Sequence, residues 1–231
     1  MIFLHRSSAL STGIKAGDLE VGQEVLLNEN GAPANYLVVH QGLPSDLYDA
    51  SCEGTWLLRK DIAENRVWDS GNSNVLETSD IQSYLNGTWI NRYDTDIRNA
   101  IKQVKIPYRQ NGGSGGTDRN GANGLSCKIF LLSGREVGFT NNESSNFPND
   151  GAKLDYFISG STSSAQQKRI AKLNGSATNW WLRSPYPLNG AYVWRCDSGG
   201  NCTSWNASSS YGVRPALILP YDFTFQESEV A

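Results

Sequence analysis

The chain has 231 residues, a formal net charge of −3, two histidines and four cysteines. That length suits one large domain or two small ones, and the weak negative charge gives no support to nucleic-acid binding. The longest apolar run is too short to span a bilayer, so membrane insertion is not expected, and the segment Met1-Ile2-Phe3-Leu4-His5-Arg6 lacks the basic and apolar regions of a secretory signal.

In chain order, residues 14–27 read as an entry region with a short strand at 24–27. Tyr36-Leu37-Val38-Val39-His40 and residues 54–59 read as strands, with Trp56, Leu57 and Leu58 in the core. Ser79 and Gln82 have capping-box spacing and predict a helix over 79–85. A second helix is expected over 95–104, with Ile97, Ala100, Ile101 and Val104 on one face and Pro107 beyond its end. Residues 111–124 are glycine-rich. They lack the Gly-Lys-Ser/Thr ending of a phosphate loop and read as a flexible surface loop. A strand is expected at 128–132, one helical turn at Ser133–Glu136, and a polar loop at 141–150. Asn174-Gly175 suits a type I′ turn and predicts a hairpin between 168–173 and 176–183. The last strand is 214–219. Strands and helices neither alternate strictly nor repeat. This indicates one α+β domain of mixed short strands, two helices and long loops over residues 14–222, with 1–13 and 223–231 as tails.

Little in the chain suits catalysis. His5 falls in a terminus, and His40 ends an apolar strand and reads as structural or surface-lying. A Ser-His-Asp triad would need one of them, and no Gly-x-Ser-x-Gly elbow exists. The acidic groups Asp46, Asp49, Glu53 and Asp94, Asp96 do not match a calcium loop. Cys52, Cys127, Cys196 and Cys202 include no Cys-x-x-Cys pair, so zinc is not expected. Cys196 and Cys202 flank a turn that a disulfide could cross, but free thiols are the favoured reading. No cofactor and no metal are expected.

Residues 180–219 carry most of the functional information. The apolar ends, Trp180-Trp181-Leu182-Arg183-Ser184-Pro185 and Gly212-Val213-Arg214-Pro215-Ala216-Leu217, suit packing. Trp180 and Trp181 are adjacent and so point to opposite faces of a strand. Arg183 and Arg214 read as scaffold residues, facing away from the core or capping a carboxylate. The middle is small, hydroxylated and aromatic, a composition that suits a binding surface. Its candidate ligand-binding residues are Tyr186, Leu188, Tyr192, Arg195, Asp197, Asn201, Thr203, Ser204, Trp205, Asn206, Ser208, Ser209, Ser210 and Tyr211. Two runs, 186–197 and 201–211, are expected to meet through a turn at Gly199-Gly200. They should form one solvent-facing patch, with Val193 and Trp194 turned inward. Scatter over opposite faces, or burial, would sink the reading of 186–211 as one binding surface.

The WWLRSP segment, the Ser/Asn/Tyr-rich middle and the closing GVRPAL resemble the C-terminal half of a C-type-lectin-like domain. More specifically, they resemble the variable proteins of diversity-generating retroelements, in the formylglycine-generating-enzyme-like branch of that fold. Residues 77–86 (ETSDIQSYLN) resemble the helix of that family and Lys128-Ile129-Phe130-Leu131-Leu132-Ser133 its central strand, so the likeness runs over about 14–220. The resemblance implies a C-type-lectin-like fold with 180–219 as the variable region. Such elements mutate adenines, and the Asn codons they target cannot yield Lys, Glu, Gln, Met or Trp. Lys, Glu, Gln and Met number 8, 10, 8 and 1 here, yet residues 186–211 contain none of them. On this basis Trp194 and Trp205 would be fixed, as scaffold or as permanent contacts.

The implied function is non-enzymatic recognition of a macromolecular target, a cell-surface protein or glycan, by a protein of a phage virion or a bacterial cell surface. The calcium motif of lectins is absent. Two alternatives stand beside it. One is an oxidase of the formylglycine-generating type using Cys196 and Cys202, whose spacing differs by one from the enzyme's. The other is a structural module of a phage tail or cell surface.

Overall fold

In the computed structural model, residues 13–113, 115–144 and 147–230 are described, and His5 with the rest of the N-terminal segment lies outside them. The architecture is mixed α+β, rich in short strands. The strands are Ile14–Lys15 (β1), Glu24–Glu29 (β2), Ala32–Gln41 (β3), Thr55–Arg59 (β4), Glu64–Val67 (β5), Val104–Ile106 (β6), Tyr108–Gln110 (β7), Thr117–Arg119 (β8), Leu125–Cys127 (β9), Lys172–Leu173 (β10), Ser176–Ala177 (β11), Trp180–Pro185 (β12), Tyr192–Cys196 (β13), Cys202–Asn206 (β14), Ser210–Val213 (β15), Ala216–Leu219 (β16) and Thr224–Phe225 (β17). The α-helices are Asp80–Gly87 (α1), Thr95–Ala100 (α2) and Ser163–Arg169 (α3). None is long and apolar enough to cross a membrane.

Two sheets dominate. One has the order β16-β4-β3-β2, and the other β14-β13-β12-β15-β5. Both bury apolar side chains on both faces, so β12 is buried along its whole length and β4 along all but its last residue rather than alternating. Trp181, Val193 and Val213 face one core with Leu57, Leu217, Ile81 and Leu85. Trp180, Leu182 and Trp194 face a second core with Trp56, Ile218, Phe130 and Phe157. Strand alternation thus places the adjacent indoles on opposite faces as expected, and both are fully buried. Each indole N–H finds a carbonyl, Trp180 on Arg169 at 2.9 Å and Trp181 on Arg66 at 3.0 Å.

Between the sheets, Ile129, Phe130, Leu131 and Leu132 are all buried. They make no regular strand. Phe130 exchanges main-chain bonds with Ala216, and Leu132 accepts from the Arg183 N–H, so the segment serves each sheet with one contact. The Ser133 and Glu136 reciprocal cap is present, at 3.1 and 2.8 Å. Glu136 then receives the Arg183 guanidinium through both oxygens, at 2.5 and 2.7 Å, with both side chains buried. Arg183 therefore caps a carboxylate. Arg214 stacks over Trp180 and donates to the carbonyls of Arg59 and Lys60.

Several expectations need correction. Helix α2 ends at Ala100, because β-branched Val104 pairs with Cys127 in β6–β9 instead. The helix α3 replaces the first part of the expected hairpin. Thr162 caps it, and only Lys172–Leu173 and Ser176–Ala177 pair around Asn174-Gly175. The glycine-rich segment is not a free loop: β7 and β8 pair across it, and Gly112 and Gly113 are buried. The end of the chain is not a tail either. Phe225 is buried and pairs with Ile14 in β1–β17, and Val230 bridges to Val25.

Candidate functional site

The candidate residues lie on the β13–β14 hairpin and the two loops beside it. The pairing is Tyr192 with Asn206, Val193 with Trp205, Trp194 with Ser204, Arg195 with Thr203 and Cys196 with Cys202. A tight turn at 197–201 joins the strands. The Asp197 carboxylate accepts from the Gly199 and Asn201 N–H groups, so Asp197 is spent on the turn. The two runs do meet through Gly199-Gly200, as the sequence suggests.

The single patch does not form. Directly opposed residues share a face and neighbours alternate. Val193, Arg195, Thr203 and Trp205 therefore line one face, toward Trp181 and Tyr211. Tyr192, Trp194, Ser204 and Asn206 line the other. There Trp194 stacks on Phe147 at 4.5 Å and meets Tyr186 edge-on at 5.0 Å. Val193 and Trp194 are both buried, but into different cores.

Arg195 also departs from expectation, being only 8% exposed. Its guanidinium carbon lies 4.0 Å from the Tyr211 ring centre and 5.2 Å from that of Trp205. Trp205 is 47% exposed and Leu188 67%, the two most exposed large apolar side chains among the described residues. Trp205 is thus exposed rather than packed as scaffold. Asn201, Ser208 and Ser210 are exposed, and Tyr186, Tyr192, Thr203, Ser204, Asn206, Ser209 and Tyr211 are half-buried. Because β14 is an edge strand, both faces of the hairpin reach solvent along it.

Residues that the sequence reading missed hold this hairpin in place, almost entirely through its main chain. Asn74 is buried, and its Nδ2 donates to the carbonyls of Tyr186, Asn189 and Tyr192 at 3.2, 3.0 and 2.8 Å. Its Oδ1 accepts from Gly113 at 2.7 Å. A Cβ on Gly112, whose φ is +62°, would stand 2.3 Å from that Oδ1, so the glycine admits the close approach. Asn72 Oδ1 accepts the Ser208 N–H, and Asn179 Oδ1 that of Ser198. The Ala207 carbonyl accepts from Trp68 and Asp69. At the turn, buried Arg169 donates to the Gly200 carbonyl at 2.8 Å. One hydrogen bond runs between side chains, from Gln166 to Asn201 at 2.6 Å.

Cys196 and Cys202 are paired across the strands as free thiols. Burial raises both thiols well above their ordinary range, which disfavours the reactive thiolate. His40 is buried, with Nδ1 2.8 Å from the Asp155 carboxylate. Asp49 caps a turn through the Ser51 N–H, and Glu53 accepts from Tyr221. Among the described residues, no three His, Cys, Asp or Glu side chains gather as a group that could hold a metal ion.

The fold and site define a strand-rich α+β domain with a hairpin of mixed polar and aromatic side chains on a buried aromatic base. The profile of the family described as "Domain of unknown function (DUF6273)" matches residues 53–221, and the chain belongs to that family. No curated protein and no solved structure matches it.

Proposed function

We propose that the chain is a non-enzymatic ligand-binding domain of C-type-lectin-like type, related to the variable proteins of diversity-generating retroelements. The observation that carries this reading is the way the hairpin is held. Asn72, Asn74, Asn179, Arg169, Trp68 and Asp69 grip main-chain atoms of residues 186–208. Main-chain bonds survive a change of side chain, so the scaffold keeps its shape while the displayed residues differ. A rigid scaffold under exchangeable loop residues is the arrangement that recognition domains use. The composition of the segment agrees, with Tyr and Trp for contact area and Ser, Thr and Asn for adaptable bonds.

The binding surface is narrower than the whole segment. It runs along the edge strand β14, through Thr203, Ser204, Trp205 and Asn206, and continues onto Leu188 and Tyr192 and onto Ser208 and Ser210. The target is a macromolecule on a cell surface, and the protein acts on a virion or a bacterial surface. The test is binding of the labelled chain to intact cells of a bacterial panel, against the variant Trp205→Ala/Ser204→Ala/Leu188→Ala. The reading expects cell-specific binding by the native chain and its loss in the variant, with unchanged thermal unfolding. Equal binding by both proteins would contradict it. The retroelement relation has its own check: a near-copy of the 180–219 coding stretch, differing mainly at adenines, should lie beside a reverse transcriptase.

A further inference from the structure

A charged guanidinium removed from water is costly unless it is paired. Arg195 is more than nine-tenths buried, yet its Nε and Nη1 have no hydrogen-bond partner, and no carboxylate among the described residues pairs with it. The hydroxyl of Thr203, directly opposite on the same sheet face, also lacks a partner. Two aromatic rings flank the guanidinium, Tyr211 at 4.0 Å and Trp205 at 5.2 Å. Cation–π attraction offsets part of the burial, but it leaves the in-plane N–H donors unused. Other buried arginines of this chain are served differently. Arg183 has the Glu136 carboxylate, and Arg169 has three carbonyls. Arg214, stacked over Trp180, has two carbonyls and leaves Nη1 without a partner, whereas Arg195 leaves both Nε and Nη1.

We propose that Arg195, Thr203 and Trp205 form a receiving site for a carboxylate group of the target. The planar fork of the guanidinium matches a carboxylate through two parallel N–H···O bonds. Thr203 supplies a third polar contact. Trp205 stands on the edge strand with its ring half in solvent, so it is the neighbour that can turn aside and then cover the apolar flank of the ligand. Tyr211 is fixed from below by Trp181, whose ring meets it edge-on at 5.0 Å. A single guanidinium with a hydroxyl and two aromatic walls favours a monoanion over a phosphate, which carries more charge and recruits several cations.

This inference rests on the hairpin being the binding surface and specifies one chemistry for it. The test uses the full chain, with benzoate as the probe and inorganic phosphate in parallel. The readouts are the 15N–1H resonances of the Arg195 Nε–H and the Trp205 indole. Benzoate should shift both saturably, with half-saturation on the order of millimolar. Arg195→Lys keeps the charge but loses the fork, and should weaken binding by roughly tenfold or more. Thr203→Val should weaken it by about threefold to tenfold. Thr203→Val also provides the decision if Arg195→Lys does not fold. The proposal is overturned by the absence of a saturable shift, by tighter binding of phosphate than of benzoate, or by unchanged affinity in a folded variant. A negative benzoate result alongside variant-sensitive cell binding would remove the carboxylate site alone and leave the binding surface standing.

Discussion

Asn74 is the residue on which the 186–192 loop most depends. One side chain bonds three part-buried carbonyls and one N–H, work that no apolar or acidic residue can do. Asn74→Asp keeps the shape but loses every donor and sets a buried carboxylate against three carbonyl oxygens, so it should cost roughly 2–4 kcal/mol. Urea titration measures the cost, and faster amide exchange confined to residues 186–192 and Gly113 would place it. Asp150 makes a second prediction. Burial pushes its carboxyl up to about 7, against the opposing pull of the Arg183 guanidinium. The folded chain therefore keeps a proton that the unfolded chain, with an ordinary carboxyl near about 4, gives up. The associated stability is fully present below the unfolded value and is lost as pH rises through about 7. The urea midpoint should fall between about pH 4 and pH 7, and Asp150→Asn should flatten that slope. A slope unchanged in the variant would assign it to other groups.

At the scale of elements, packing and display are separated by position along the strand. Trp181 and Leu217 lie wholly in the core, whereas Ser208 and Ser210 are exposed. Trp181→Ala or Leu217→Ala should cost roughly 2–5 kcal/mol by cavity formation. Ser208→Ala and Ser210→Ala should stay within about 0.5 kcal/mol. Comparable losses in denaturant titrations of both groups would remove the distinction. These contrasts were legible in sequence, because apolar runs and small polar stretches report burial directly. Helix α1 was legible for a similar local reason, the Ser79 cap onto the Gln82 N–H. Elements decided by distant partners were not. Val104 leaves its helix for Cys127, and Lys168 and Arg169 enter α3 instead of a strand. The glycines at 112 and 113 read as flexible, yet Asn74 and Gly190 lie close enough that neither tolerates a Cβ. The composition of 186–211 singled out its polar and aromatic residues, of which Leu188, Asn201, Trp205, Ser208 and Ser210 are exposed. Strand pairing, invisible in one sequence, then divided them between two faces and buried Arg195.

At the scale of the whole molecule, the five-stranded sheet exposes side chains on one margin and packs against the cores elsewhere. Its strands β12 and β13 lie between two cores, and β14 forms the edge beyond them. The grip on the hairpin comes from segments far away in sequence, at residues 68–74, 113 and 166–179. This arrangement makes the identity of the displayed side chains nearly irrelevant to folding. The most direct measurement is a protease-resistance scan of a library carrying every single substitution over residues 186–211. The account predicts tolerance at Leu188, Tyr192, Thr203, Ser204, Trp205, Asn206, Ser208 and Ser210, and intolerance at Val193, Trp194, Cys196 and Ala207. Substitutions at Leu188, Ser204 and Trp205 that unfold the chain as readily as those at Val193 would contradict it.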